Sequence, residues 1–271
     1  MNADGHIEAG CQSLSRPGRN VWLLARAVWL EALRRKDPWV IALLMAVYLM
    51  VAVAVRIVRG GTKTEAQFIF NLGLTFAFWL PAVLSALMAA REIPSEIEAG
   101  TLFPLLAKPV RRGEVILGKF AASAGVGLGT LAMFVFFAWL VSPWLAEYRL
   151  GLFLQCVALQ MLALLILTAL TVCVTVWAPS AVALMLGLGW YFGSGALMAA
   201  LIDRVAPNAR GVVAWVCAYF PNFSLYDLSN RFTQAGPPLS GGEFAGLLVS
   251  TLIFAALFLT VATWGFNRRA L

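Results

Sequence analysis

From residue 150 to residue 202 the chain reads LGLFLQCVALQMLALLILTALTVCVTVWAPSAVALMLGLGWYFGSGALMAALI, without a single Asp, Glu, Lys or Arg. As one helix this run would be about 80 Å long, against a bilayer hydrocarbon core of about 30 Å, so it has to cross a membrane twice. The interruption is Trp177-Ala178-Pro179-Ser180, because proline disfavours helical continuation at its own position and at the residue before it. Working outward, residues 38–55, 66–90, 120–146 and 244–267 are also free of charge, and each is about one crossing long. The expected fold is an all-α membrane protein with six transmembrane helices, at about 38–58, 68–90, 115–141, 150–177, 180–202 and 244–266.

Composition agrees. The 271 residues are 61% hydrophobic and 12% charged, with a mean hydropathy of +0.84, whereas soluble domains carry roughly 25% charged residues. An even number of crossings puts both termini on one side. On that side lie 13 Lys or Arg: six before Pro38, five from Arg91 to Lys119, and Arg268 with Arg269. The other side holds seven: Arg56, Arg59, Lys63, Arg149, Arg204, Arg210 and Arg231. The positive-inside rule then predicts cytoplasmic termini. The net charge of +7 reads as a signal for topology and anionic membrane lipids, not for nucleic acid. Trp39, Trp139, Trp144, Trp177 and Trp264 fall near expected helix ends, where aromatic belts form.

Residues 1–20 lack an apolar core and a cleavage site, and are expected to be a disordered cytoplasmic segment with no removable leader. From Val21 to Lys36, the apolar Val21, Trp22, Ala25, Val28, Trp29, Ala32 and Leu33 share one sector of a helical wheel, away from Arg19, Arg26 and Arg34. This predicts an interfacial helix on the cytoplasmic leaflet, or else a cytoplasmic extension of the first span, since Leu23 and Leu30 fall on the polar side. The third and fifth spans contain Gly125 with Gly129 and Gly189 with Gly193, a small-xxx-small spacing that permits close helix packing. The outer segment 203–243 carries Trp215, Tyr219, Phe220, Phe223, Tyr226 and Phe232, which suggests short helices at the outer interface.

Enzymatic readings fail on inventory. The only histidine is His6, so no base exists to activate Ser194 in Gly193-Ser194-Gly195, which reads as a packing site. Cys11, Cys156, Cys173 and Cys217 have no metal-ligand or disulfide spacing, and buried small apolar groups are the expectation. Gly113-Glu114-Val115-Ile116-Leu117-Gly118-Lys119 fits the G-x-x-x-x-G-K half of a nucleotide loop, but Phe120 stands where a hydroxyl should hold the metal and no strand precedes it. No acidic residue lies mid-span in any expected helix, which removes the usual carriers of coupled ion transport.

One short polar segment remains. Residues 91–119 hold nine of the 33 charged residues, between almost purely apolar stretches. The second span can extend past Pro94 to Ala99, Gly100 suits a C-terminal cap, and Thr101 suits an N-cap for a short apolar helix over Leu102 to Ala107. Flanked by Glu96, Glu98, Lys108, Arg111 and Arg112, that helix is either an insert for a groove on another protein or a lid on this protein's own helix ends.

The pattern Glu96-x-Glu98-x-Gly100-Thr101-Leu102-x-x-Leu105-Leu106-x-x-Pro109-x-x-Arg112, followed by Gly118-Lys119, resembles the signature of the ABC transporter type-2 permease family. The likeness extends to the number of spans, the interfacial helix and Pro221-Asn222-Phe223 in the outer segment before the last span. It implies that residues 21–271 form a single permease domain in a bacterial cytoplasmic membrane. It further implies that Glu96, Glu98, Gly100, Thr101, Leu102, Leu105, Leu106, Pro109 and Arg112 couple to a separate cytoplasmic ATPase. A second permease subunit would face this one, and ATP and Mg would bind in the ATPase and not in this chain. The short connection Arg59 to Gln67 favours an exporter over a mechanical device with a large outer domain. An ATP-independent membrane scaffold or maturation factor binding some other cytoplasmic protein is the alternative from a different class.

Overall fold

The computed structural model describes residues 37–59, 63–98, 112–141, 150–204, 220–228 and 237–268. Among the described residues six α-helices run in order as α1 (Asp37–Arg59), α2 (Lys63–Glu98), α3 (Arg112–Val141), α4 (Leu150–Thr175), α5 (Ser180–Arg204) and α6 (Gly241–Arg268), with a 3-10 turn at Phe223–Leu225 before α6. No strand occurs among the described residues. Five helices among the described residues are long and apolar enough to cross a membrane, over Phe68–Glu92, Gly113–Leu140, Leu150–Thr175, Ser180–Leu201 and Gly241–Arg268. Within α1 the apolar stretch is Ile41–Val55, about 22 Å of helix, which is shorter than the hydrocarbon core. The expected interfacial helix over 21–36 and the segment 1–20 lie outside the described residues.

The uncharged run 150–202 does break at the tetrapeptide around Pro179. Trp177 and Ala178 both donate to the Val174 carbonyl at 2.9 Å, closing α4, and Ala183 donates to the Pro179 carbonyl at 3.0 Å, opening α5. Helix α4 is apolar on all sides and sits at the centre, in contact with α2, α3, α5 and α6. Its hydroxyls are satisfied within the helix: Thr168 donates to the Leu164 carbonyl at 2.9 Å, and Thr171 to that of Leu167 at 2.8 Å. This suits a medium without water to meet them. Cys156 and Cys173 are buried on the same helix, as small apolar groups.

Lipid tails are as apolar as leucine, so association of these helices rests on close packing more than on burial from water. Glycine permits that approach, but not at three of the positions the four-residue spacing suggested, Gly129, Gly189 and Gly193. A side chain at Gly129, Gly189 or Gly193 would meet nothing within 4 Å. The tight positions are two residues away on the same helices, and one on α2. A Cβ at Gly127 would stand 2.7 Å from the Ser85 Cβ of α2, one at Gly187 would stand 2.6 Å from the Thr171 hydroxyl of α4, and one at Gly73 would stand 2.5 Å from the Tyr48 hydroxyl of α1. The glycine-rich stretches do pack, in a different register.

The bundle has two distinct ends. At one, Trp177 closing α4 and Trp264 on α6 lie 6.2 Å apart by ring centroid, Gly265 of α6 backs onto Trp177, and the Arg268 guanidinium sits 3.9 Å over the Trp264 ring. The C-terminal part of α2 and the start of α3 belong to the same end, joined by Lys119 to Glu92 and by a core of Ala89, Ile116, Val172, Val176, Ala262 and Phe266. An arginine and two tryptophans suit a membrane–water boundary. The opposite end holds the start of α6. There Ser240 and Glu243 form a capping box: the Ser240 N–H donates to the Glu243 carboxylate at 3.0 Å and the Glu243 N–H donates to the Ser240 hydroxyl at 3.3 Å. Gln155 of α4 clamps the entry, its amide oxygen accepting from the Leu239 N–H at 3.0 Å and its amide nitrogen donating to the Leu239 carbonyl at 3.3 Å.

Candidate functional site

Of the outer segment 203–243, residues 205–219 and 229–236 lie outside the described residues; the described part 220–228 holds one short 3-10 helix, Phe223–Leu225, with Phe220, Ser224, Leu225 and Asp227 exposed. It enters the bundle: Pro221, Phe223, Tyr226 and Leu228 are buried, and Phe223, Tyr226 and Leu228 join the main core. Two bonds to α5 hold it and one within the turn shapes it. The Trp190 indole donates to the Pro221 carbonyl at 2.9 Å, the Phe223 N–H donates to the Ser194 hydroxyl at 3.0 Å, and the Asn222 side chain accepts from the Ser224 N–H at 3.1 Å. Gly195 makes room, since a Cβ there would stand 2.7 Å from that of Ser224. On the far side, the Tyr226 hydroxyl lies 3.0 Å from the Ser250 hydroxyl and 3.1 Å from that of Thr251, both on α6.

Depth follows from helix geometry. Ser194 is about 15 Å inside the end of α5, and Ser250 is about 14 Å inside the start of α6. Non-helical backbone at such depth persists only where protein or a polar cavity surrounds it. Both are present. A cavity of about 500 Å³ opens between Phe78 and Trp79 of α2, Gln160 of α4, Tyr191 and Phe192 of α5, and the turn with Ser224 and Asp227. A second, of about 350 Å³, adjoins it through Ser224 and Asp227 and reaches Gly246 and Leu247 of α6.

The walls of the larger cavity are ordered by polar and aromatic contacts. Buried Gln160 donates to the Phe78 carbonyl at 3.0 Å and to the Tyr191 hydroxyl at 2.6 Å. Pro81 has no N–H for the Ala77 carbonyl one turn back, so α2 is locally weakened beside the carbonyl that Gln160 holds. Rings run from α2 through α5 into the turn: Trp79 to Phe192 at 4.8 Å, Phe192 to Tyr191 at 5.0 Å, Tyr191 to Phe223 at 5.0 Å and Phe223 to Tyr226 at 6.5 Å. Such a site can hold a ligand with an apolar body and a polar head.

At the other end of the bundle, α2 continues through Pro94 to Glu98 and α3 begins at Arg112. The Lys119 ammonium, buried to 4% exposure, donates to the Glu92 carbonyl at 2.7 Å and joins these helices. Buried Glu114 lies in the first turn of α3, more than one turn before Lys119.

A family model described as ABC-2 family transporter protein matches residues 22–271. The chain belongs to the ABC-2 transporter family. None of the curated proteins compared with the chain matches it. As an ABC-2 protein it is a multi-pass membrane permease component, not itself catalytic, and its family implies a partner ATP-binding subunit.

For this ABC-2 protein the residues expected to form a coupling site divide in two. Glu96 and Glu98 lie on the last turns of α2 and Arg112 is the first residue of α3, while Gly100, Thr101, Leu102, Leu105, Leu106 and Pro109 lie outside the described residues. Gly113 to Lys119 is helical within α3 and buries Lys119 against α2, so it has neither the loop nor the exposed lysine of a phosphate cradle. Ser194 is a packing hydroxyl, as its lack of a base implied. Sequence reasoning missed Gln160, Tyr191, Trp79 and Phe192, which read as ordinary span residues, and Asp227, which read as an outer-loop acid. The available signal was Pro221-Asn222-Phe223 among closely spaced aromatics, a segment too apolar to stay in water.

Proposed function

We propose that this ABC-2 protein is the membrane permease of an ATP-driven exporter in a bacterial cytoplasmic membrane. It works as a homodimer with two copies of a separate cytoplasmic ATPase that binds ATP and Mg. In this reading α1 is the sixth span, both termini are cytoplasmic, and the ATPase docks on the connection between α2 and α3. The Arg268–Trp264 contact on the end shared with Glu92 and Lys119 supports that orientation.

One observation carries the reading above the others. The second helix runs without a break past its membrane part to Glu98, and Lys119 fastens it to α3, so the two helices flanking the coupling segment form one joined stalk. ATPase closure would push Thr101 to Ala107, and this stalk would carry the movement toward the cavity lined by Phe78 and Trp79 on the same α2. Glu98→Arg combined with Leu105→Asp is the test. Loss of co-purification with the ATPase and of its stimulation is expected; survival of both overturns the docking assignment.

A further inference from the structure

We infer that the larger cavity at the turn binds a neutral amphipath whose head both donates and accepts a hydrogen bond, a hydroxyl-headed molecule with an apolar body. As cargo this ligand rests on the transporter reading; as a bound molecule it rests on the side chains of the cavity alone. Gln160 is only 2% exposed, yet it lines the cavity. The Phe78 carbonyl can only accept, so it fixes the amide with its nitrogen toward α2, at 3.0 Å. The other N–H of that nitrogen goes to the Tyr191 hydroxyl at 2.6 Å. Both amide protons are thereby spent, and the Gln160 Oε1 has no partner among the described residues. Tyr191 accepts from Gln160, so its own O–H proton is still available to a ligand in the cavity it lines. One unmet acceptor and one unmet donor therefore stand side by side in the wall.

Their depth selects a neutral head. Gln160 lies about 15 Å into α4 and Tyr191 about 16 Å into α5. Unmet polar groups are costly so far from water, and a full charge brought to them would cost more. Asp227, the only charged residue among the described lining residues, is exposed at the mouth, so the inner wall is uncharged. A single hydroxyl answers both groups, its proton going to the Gln160 Oε1 and its oxygen accepting from Tyr191. The apolar body has its own surface. Trp79 and Phe192 are 56% and 44% exposed with ring centroids 4.8 Å apart, two aromatic faces that the core does not cover. A volume of about 500 Å³ falls in the range of small-molecule pockets.

The full chain in phosphatidylcholine nanodiscs, whose lipids carry no hydroxyl, is titrated with 4-(1-pyrenyl)butanol, its methyl ether and 1-pentylpyrene. Saturable energy transfer from tryptophan to pyrene is read, corrected for partition into protein-free nanodiscs. The alcohol should half-saturate at a concentration at least about ten-fold below that of pentylpyrene, as new hydrogen bonds to unmet groups imply. The ether, which cannot donate to the Gln160 Oε1, should lose most of that advantage. Gln160→Met removes the free acceptor and should reduce the ratio to about two-fold, whereas Phe192→Ala should weaken alcohol and hydrocarbon alike. Where Gln160→Met fails to fold, the wild-type ratio decides. Equal binding of alcohol and pentylpyrene means that water or nothing meets the polar pair, and overturns the assignment; so does tighter binding of pyrenebutyrate or of pyrenebutyl-trimethylammonium. Displacement of the alcohol by dioctanoylglycerol assigns the head to a lipid alcohol, displacement by 1-hexanol alone to a free one, and displacement by neither also overturns it. Because no ATPase is present, failure here leaves the docking test above to decide the transporter reading separately.

Discussion

The Lys119 ammonium lies 2.7 Å from the Glu92 carbonyl oxygen, so the charged end of a side chain on α3 is fastened to the backbone of α2. With 4% of its surface exposed, Lys119 has little water to replace that acceptor. Lys119→Met keeps most of the apolar stem and deletes the donor. A loss of about 1.5–3 kcal/mol, typical of a hydrogen bond to a charged group, is expected in denaturant unfolding of the purified protein. An unchanged unfolding midpoint would mean that the bond contributes nothing net.

Gly193 and Gly195 differ by two residues on one helix and should respond oppositely to alanine. At Gly195 the new Cβ would stand 2.7 Å from that of Ser224, whose hydroxyl is itself bound to Asn222 at 2.8 Å. Overpacking of about 1–3 kcal/mol is expected there. At Gly193 the Cβ meets nothing within 4 Å, and alanine should be neutral or stabilising by about 0.5–1 kcal/mol through helix propensity. Thermal melting of the two variants side by side decides, and equal melting temperatures would contradict the register.

Gln160→Leu strands two partners at once, the Tyr191 hydroxyl and the Phe78 carbonyl. The cost should be about 1–3 kcal/mol, the penalty for an unmet buried polar group. Adding Tyr191→Phe removes one stranded group and should recover part of that loss. A double-mutant cycle on unfolding free energies measures the coupling, and strictly additive losses would show that the two side chains act independently.

Ser240→Ala removes one arm of the capping box at the start of α6. About 1 kcal/mol should be lost locally. Hydrogen exchange is the suitable readout, with faster exchange expected at the Glu243 amide and unchanged exchange at Thr251, well inside the helix. Acceleration along the whole of α6 would instead indicate that the cap holds the helix in place.

Much of the fold was legible because a bilayer penalises charge so heavily. The break at Pro179, and the positions of α2 through α6, follow from where Asp, Glu, Lys and Arg are absent. The same logic put Trp177 and Trp264 at helix ends, and the structure sets them side by side. The reach of α2 from Lys63 to Glu98 was less visible, since its polar ends lie outside the uncharged run while remaining helical. The cavity was not legible at all. Gln160, Tyr191 and Asp227 are far apart in the chain, and their meeting depends on a turn that enters the bundle.

By itself the sequence determined that this is a multi-pass helical protein, with its charged residues confined to connections and helix ends, because the cost of burying charge in hydrocarbon acts residue by residue along the chain. Its likeness to the permease family was carried by one local motif, Glu96 to Arg112, readable without any knowledge of packing. Only the tertiary structure decided that Gly127, Gly187 and Gly195, rather than Gly129, Gly189 and Gly193, are the contact glycines. It alone set Asp227 at the mouth of a cavity shared with Gln160 and Tyr191 as well. Both depend on which faces of different helices meet, and that choice is made by close packing between residues distant in sequence, on which spacing within a single helix is silent.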